Sequence, residues 1–310
     1  MNGNLSFLYC FDSGYDKQAL VSMISLLDAV SESIEIHIIH NTKHFKKQIP
    51  SKILEHKNLL NIYIYEFKDK EYNFPNTKNA HLTEATYYRL FIENYLPEHL
   101  NNILFIDADT VCMNNPIEVL RTNINELNTS KFLIAARTEH KKEPSKINEI
   151  FLRLDIEGPY FNAGIMLIDL KKWKNQNFQK KLIKNLIKLE NKILQWDQDV
   201  LNHSLNSNYL ELSDSFNYNA IKYKKFEKEN IYFLHYIGSK KPWLTSGIFT
   251  KASMHYHENY RKIFRDDFHI IHKWKKQSVI DVLNSLKNFS FFNLDFKIKF
   301  LVTFFKSLYK

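Results

Sequence analysis

The segment Ile103-Leu-Phe-Ile-Asp107-Ala-Asp109-Thr-Val111 carries the clearest chemistry in the chain. A run this apolar reads as a buried strand, and it ends on two carboxylates two residues apart. In extended backbone, positions i and i+2 face the same side, so Asp107 and Asp109 can converge at the strand's carboxyl end. Two carboxylates held that close repel unless a cation sits between them or one is protonated. A hard divalent ion, Mn2+ or Mg2+, with a nucleotide diphosphate completing its oxygen shell, answers that repulsion. Open α/β sheets bind ligands at such strand ends. A lone Asp-x-Asp is more often a solvated strand-to-turn junction, so context decides.

Three further segments supply context. Tyr160-Phe-Asn162-Ala163-Gly164-Ile-Met-Leu-Ile-Asp169 places an amide and two small residues at the mouth of another buried strand. Asn162 can hydrogen-bond sugar hydroxyls, while Ala163 and Gly164 let a ligand approach the backbone. Trp196-Asp197-Gln198-Asp199 sets two carboxylates around an amide at a helix start, where an N-cap is the structural alternative for Asp197. His235-Tyr-Ile-Gly238-Ser-Lys240-Lys241-Pro-Trp243 joins an imidazole at a strand end to a glycine and a lysine, a metal ligand beside a phosphate-binding cation. Lys240 is the alternative to Lys241 in that role. Trp173 and Trp243 read as packing residues, and the pair His255 and His257 lacks metal-site spacing.

These residues need elements to hold them. Leu5 to Phe11 reads as a strand, Asp16 to Val30 as a helix with Leu20, Met23, Ile24 and Leu27 on one face, and Ile34 to Ile39 as the next strand. Further strands are expected at 61–67, 102–107, 131–136, 164–169 and 231–235. Helices are expected at 43–56, 83–95, 178–194 and 197–205. Such alternation specifies an α/β fold whose sheet is covered on both faces. From Met254 onward the pattern is helical only, rich in Lys, Phe and Asn, which places a boundary near residue 250.

Composition narrows the classes. With 310 residues and 44% apolar content the chain buries a real core. Its six glycines include neither G-x-G-x-x-G nor G-x-x-x-x-G-K-[ST], against a classical dinucleotide or P-loop site. Cys10 and Cys112 form no C-x-x-C pair, which argues against a disulfide framework and fits a cytoplasmic protein. The first residues read as no signal peptide, and no window is apolar enough to span a bilayer. Residues 273–310 hold eight lysines against two acids, six of the nine net positive charges. That concentration, with no RNP or helix-turn-helix pattern, argues against nucleic-acid binding.

Taken in order and spacing, Phe-Ile-Asp107-Ala-Asp109, Tyr-Phe-Asn162-Ala163-Gly164 with Leu-Lys-Lys-Trp173, Asp197-Gln198-Asp199 and His235-Tyr-Ile-Gly238-Ser-Lys-Lys241-Pro-Trp243 resemble glycosyltransferase family 8. The resemblance spans most of residues 4 to 250 and is nearest to the bacterial lipopolysaccharide and lipooligosaccharide galactosyl- and glucosyltransferases. It implies a GT-A (Rossmann-like) fold with a mostly parallel mixed sheet over residues 1–250, followed by a helical region over 251–310. It implies Asp107, Asp109 and His235 as ligands of Mn2+, with Mg2+ as the alternative, and Gly238 and Lys241 on the phosphates of a UDP-hexose donor. Cys10-Phe-Asp12-Ser13-Gly14-Tyr15 matches the uridine-binding turn, with Asp12 on the base and Tyr15 stacked on it. The family often carries Asn or Asp at the positions of Ser13 and Gly14. His81 and Arg89 match donor-site positions, and Asn162, Ala163, Asp197 and Gln198 match residues around the donor sugar. For Arg89 the structural alternative is an ion pair with Glu84 or Glu93.

The implied reaction moves galactose or glucose from UDP-hexose to a lipopolysaccharide or other glycan hydroxyl with retention. Gln198 stands where a double displacement would put its nucleophile, and an amide is a poor one, so a same-face mechanism is favoured. In the tail, Phe292, Phe296, Phe300 and Phe304 recur at helical steps among lysines. The segment reads as a peripheral attachment to the anionic inner face of the cytoplasmic membrane, with docking on the catalytic domain as the alternative. Two rival readings are a transferase acting on a protein or another cell-surface glycan, and a non-catalytic membrane-associated scaffold.

Overall fold

The computed structural model describes residues 4–69, 71–72, 74–75, 83–143, 149–224 and 230–309. Its first unit is the expected βαβ: β1 (Ser6–Phe11), α1 (Asp16–Ala29) and β2 (Ile34–His40). Every β1 residue is buried, because both faces of the strand meet apolar layers. Phe7, Tyr9 and Phe11 point into one core cluster and Leu8 and Cys10 into the other, the period-two signature of a strand covered twice. Strands β3 (Leu59–Glu66), β4 (Asn102–Ile106), β6 (Ile134–His140), β7 (Tyr160–Asp169) and β8 (Leu210–Glu211) complete the sheet. Among the described residues it has seven strands in the order β3-β2-β1-β4-β7-β6-β8. The pairs β1/β2, β2/β3, β1/β4 and β6/β8 are parallel, and β7 runs antiparallel to both neighbours.

This order brings the chemistry together. The chain leaves β1 in one direction along the sheet and returns to the other side at β4, the switch point where open sheets leave a crevice. The carboxyl ends of β1 and β4 open there, and antiparallel β7 brings its amino end, with Asn162 and Gly164, to the same edge. Ala163, Gly164 and Ile165 fall between the register pairs Arg137–Asn162 and Ala136–Met166, a bulge that re-aims the backbone beside the crevice. A second sheet of three short strands, β5 (Thr110–Cys112), β10 (Phe233–His235) and β9 (Tyr218–Asn219), lies over that edge in the order β5-β10-β9.

Several expected elements change at their ends for identifiable reasons. The helix expected at 43–56 is two pieces, a 3-10 turn (Lys43–Gln48) and α2 (Ser51–Leu54), because Pro50 holds φ −60 and ψ 145 between them. The helix expected at 83–95 is a run of 3-10 turns over Glu84–Asn94, kinked at Phe91 (φ −111, ψ 16). Arg89 Nε donates to Thr86 O there, a carbonyl that a regular helix would use in its own ladder. Of the segment 178–194, α6 (Phe178–Lys188) is helical and a 3-10 turn (Glu190–Lys192) follows. Asp107 and Asp109 also converge by a different route. The chain turns after β4, with Thr110 Oγ1 donating to Asp107 O at 2.9 Å, rather than continuing extended.

The C-terminal region is helical: α8 (Ser253–Ile263), α9 (Lys275–Lys287) and α10 (Lys297–Tyr309). Tyr256 and Tyr260 of α8 share a cluster with Val21 of α1, Val111 and Trp243. Further on, Phe268, Val282, Phe291, Phe300 and Phe304 close a separate cluster over Ile248 and Phe249. The aromatic series expected on one face is therefore divided. Phe300 and Phe304 are buried, whereas Phe292 and Phe296 are exposed, because α10 docks by the face that carries the former pair. Its opposite face presents Ile298, Val302, Phe305 and Tyr309 to solvent.

Trp173, on α5 (Leu170–Asn175), is buried against Phe178 at 4.7 Å between ring centroids, as packing residues are. Its indole N–H makes no hydrogen bond, so its contribution is volume. Trp173→Ala is expected to cost about 3–5 kcal/mol in urea unfolding. Trp173→Phe, which keeps most of the ring volume, is expected to cost less than about 1.5 kcal/mol.

Candidate active site

An open cleft lies at the switch point, and its wall includes Asp12, Tyr15, Arg89, Asp107, Asp109 and His235. Asp107 follows β4, Asp109 precedes β5 and His235 ends β10, so three separate strands deliver them. One ligand atom from each lies within 4.8 Å of the other two. His235 Nε2 is 3.2 Å from Asp109 Oδ1 and 3.8 Å from Asp107 Oδ2. The second oxygen of each aspartate is taken. Arg89 Nη2 holds Asp107 Oδ1 at 2.7 Å, and the Lys241 ammonium pairs with Asp109 Oδ2 while donating to Tyr236 O at 2.7 Å.

What faces the centre is therefore two carboxylate oxygens and an imidazole nitrogen. An oxygen-and-imidazole set of this kind suits Mn2+ or Mg2+, and these residues fit a divalent ion. The surroundings push the two carboxyls apart. Burial raises the Asp107 pKa above the usual carboxylate range even though Arg89 opposes it. For Asp109 burial acts the same way, but Lys241 and then His235 outweigh it and hold the group well below that range.

Gly164 is required by space: a Cβ there would overlap the His235 ring and crowd Asp107 Oδ2. Gly238 is required by backbone, with φ +80 and open space around the missing Cβ. Arg89 is 5% exposed and pairs with neither Glu84 nor Glu93. Its guanidinium lies 4.0 Å over the Phe105 ring, donates to Ala163 O at 2.7 Å and stands 3.0 Å from Asp197 Oδ2. Asp197 is not an N-cap. Its Oδ1 accepts from Thr86 Oγ1 at 2.6 Å, and burial, opposed by Arg89, pushes its pKa up to about 6.

Gln198 is tied on both ends of its amide. Oε1 accepts from Ala163 N at 2.9 Å, while Nε2 donates to Glu139 Oε2 and to Tyr160 OH, each at 3.1 Å. Asp199 turns away from the cleft and accepts from Arg153, Tyr160 OH and the Leu194 and Gln195 amides. The backbone reaches these positions through Trp196 at φ 48, a left-handed conformation costing roughly 1–3 kcal/mol in a bulky residue. At the other end of the cleft, Asp12 Oδ1 accepts from Gly14 N at 2.9 Å, and Tyr15 meets Trp243 edge-on at 5.9 Å. His81 lies outside the described residues.

Two residues of the site had no signal in the motifs. Glu139, near the end of β6, accepts from Asn162 Nδ2 and Gln198 Nε2 on one oxygen and lines the cleft. It stands three residues beyond the apolar run that ends at Ala136, behind Arg137 and Thr138, so no local pattern marks it. Asn217, 1% exposed, stands between His235 and Asn162; only its burial inside Ser-Phe-Asn217-Tyr-Asn219 hints at a role.

Asp197 gives a prediction with a definite sign. Its folded pKa of about 6 exceeds the ordinary 3.8, so the stability it contributes is complete below about pH 4 and lost as pH rises through about 6. Relative to Asp197→Asn, the unfolding free energy of the wild type should fall by up to about 3 kcal/mol between about pH 4 and pH 7. Urea melts in EDTA measure it, and a constant difference between the two proteins contradicts the assignment.

Residues 6–247 match the family model described as glycosyl transferase family 8. The chain is 30% identical over 257 residues to a lipopolysaccharide 1,2-glucosyltransferase of Escherichia coli K12, covering 77% of this chain and 72% of that protein. It is 28% identical over 252 residues to a lipopolysaccharide 1,3-galactosyltransferase of Salmonella typhimurium LT2, covering 76% and 73%. Among solved structures, the galactosyltransferase LgtC in complex with donor and acceptor sugar analogues superposes with a TM-score of 0.69 at 17% identity. That match covers 88% of this chain and 100% of the other, and it shows the shared GT-A fold. The chain belongs to glycosyltransferase family 8 and is a retaining glycosyltransferase.

Proposed function

We propose that this enzyme transfers galactose or glucose from UDP-hexose to a hydroxyl of a lipopolysaccharide or lipooligosaccharide core glycan. The observation that carries the donor reading is the convergence of Asp107, Asp109 and His235 at the switch-point cleft, flanked by Arg89 and Lys241. The acceptor reading rests on what the E. coli and Salmonella relatives are named for. Asp107, Asp109 and His235 would hold Mn2+, or Mg2+ in its place, which supplies neutralisation of charge building on the departing diphosphate.

The remaining roles belong to the chain itself. Asp12 and Tyr15 bind the uracil, Lys241 and the left-handed Gly238 backbone receive the phosphates, and Asn162, Ala163 and Asp197 orient the hexose. Arg89 holds Asp107 and Asp197 against the cleft at the same time. In the same-face reaction the bond from the anomeric carbon to the UDP oxygen breaks as the bond to the acceptor oxygen forms. The acceptor proton passes to the leaving phosphate oxygen. Gln198, with both ends of its amide committed, supports the donor sugar and does not attack it.

The tail is proposed to attach residues 1–250 to an anionic membrane surface. No helix among the described residues is long and apolar enough to cross a membrane. Ile298, Val302, Phe305 and Tyr309 recur along the exposed face of α10, Phe289 and Phe292 are exposed beside it, and Lys297, Lys299 and Lys306 punctuate it. An apolar stripe bordered by lysines lies in an interface with the rings inward and the ammonium groups on headgroups.

Purified enzyme is expected to release UDP from UDP-galactose or UDP-glucose when Mn2+ is present and to stop in EDTA. Asp109→Ala should lower the rate by more than about 100-fold and Gln198→Ala by about 100-fold, with transfer still measurable. Absence of release from every UDP-hexose contradicts the function, leaving the scaffold reading. Complete loss in Gln198→Ala with donor binding intact contradicts the supporting role of that amide. Separately, Ile298→Asp with Phe305→Asp should weaken binding to anionic vesicles by about tenfold or more. Unchanged binding overturns the membrane assignment.

A further inference from the structure

A buried asparagine pair decides which nitrogen of His235 faces the two aspartates. The Gly164 backbone N–H can only donate, and it gives its proton to Asn162 Oδ1 at 3.0 Å. At the other end of that amide, Nδ2 donates to the Glu139 carboxylate at 3.1 Å. Asn162 is thus held in one orientation. Its Oδ1 takes a second proton, from Asn217 Nδ2 at 2.8 Å, so the far end of Asn217 is its oxygen. That oxygen lies 2.8 Å from His235 Nδ1. Facing an acceptor, Nδ1 must carry the proton, and in the neutral ring Nε2 keeps its lone pair.

The alternative tautomer has an obvious attraction. An Nε2–H would bond Asp109 Oδ1, 3.2 Å away, and close the centre with a hydrogen bond. It would also set a bare Nδ1 against Asn217 Oδ1, two acceptors at 2.8 Å with no proton between them. Asn217 cannot turn over to relieve this, because its Nδ2 is committed to Asn162 Oδ1, itself fixed by a backbone amide. At 1% and 5% exposure the two asparagines are shielded from bulk solvent, so their polar atoms are satisfied by these partners.

We propose that Asn217 is a positioning residue of the metal site: through the relay anchored on Gly164 N–H, it locks His235 as the Nδ1–H tautomer and presents Nε2 as a ligand to a divalent cation. Its own position is set by the sheet. Asn217 immediately precedes β9, and the register pairs Tyr218–Leu234 and Asn219–His235 carry it beneath the ring. An acceptor behind the ring, opposite the ligating nitrogen, orients the imidazole and raises its basicity toward the ion. The inference rests on reading the cluster as a metal site.

Two measurements on the full chain test it, neither needing activity: 15N NMR of histidine-labelled protein without metal, which reads the His235 tautomer, and titration with Mn2+ alone, followed by loss of the free-ion EPR signal. Asn217→Leu is expected to release His235 to the Nε2–H tautomer and weaken Mn2+ binding about 10–100-fold. Asn217→Asp, as the buried neutral acid, keeps an acceptor opposite Nδ1 while its hydroxyl replaces the donor to Asn162 Oδ1, and should retain both the Nδ1–H tautomer and Mn2+ binding within about threefold. Wild-type tautomer and affinity in Asn217→Leu overturn the proposal. If that variant does not fold, loss of the Nδ1–H tautomer in Asn217→Asp overturns it instead. Wild-type protein that binds no Mn2+ refutes the metal reading alone, and the NMR spectrum still decides whether the relay sets the tautomer.

Discussion

Two carboxylates and an imidazole point at one another across a few ångströms, and each is restrained from behind. Arg89 holds the outer oxygen of Asp107, Lys241 that of Asp109, and Asn217 the outer nitrogen of His235. Like charges this close, partly buried, are tolerable only with such compensation. Much of the molecule follows from the need to deliver these six side chains. Arg89 comes from an irregular run of 3-10 turns, and β4 and the short second sheet bring Asp107, Asp109 and His235 from three directions. The bulge in β7 and the missing side chain of Gly164 leave room for the His235 ring.

Two of the positive-φ positions among the described residues stand at the same place. Trp196 at φ 48 and Gly238 at φ +80 both line the cleft. Asp197 is buried with a raised pKa beside Arg89. Strain and buried charge persist only where the surrounding packing over-determines them, and here both core layers of the sheet converge on the switch point. A nucleotide site of this type does without a glycine-rich phosphate loop. The six glycines form no such loop, and the cations on the cleft wall are Arg89 and Lys241.

The sheet and the convergence of Asp107, Asp109 and His235 are legible because they depend on local signals: buried apolar runs, carboxylates at a strand end, and small residues at a strand mouth. Asp107, Asp109, Asn162, Gly164, Asp197, Gln198, His235, Gly238 and Lys241 were all named from such signals, and all line one cleft. What escaped was set by tertiary geometry. The turn after Asp107 replaces extended backbone because Thr110 bonds back to the Asp107 carbonyl. Arg89 was expected near the donor with a surface ion pair as the alternative; it is buried under Asp107 and Asp197, pairings separated by 18 and 108 positions in the sequence. Glu139 and Asn217 gain significance only from the amides they meet. The tail's aromatic series was recognised, but which phenylalanines face outward depends on how α10 docks, and periodicity leaves that open.

The central claim is that Asp107, Asp109 and His235 form one site for a divalent cation shared with a diphosphate. Crystals grown with Mn2+ and UDP, measured at the manganese absorption edge, test it directly. A single strong anomalous peak is expected, bonded to carboxylate oxygens of Asp107 and Asp109 and to His235 Nε2, with the diphosphate completing the shell. A peak elsewhere, or UDP bound while Lys241 and Arg89 alone face the two aspartates, would contradict it.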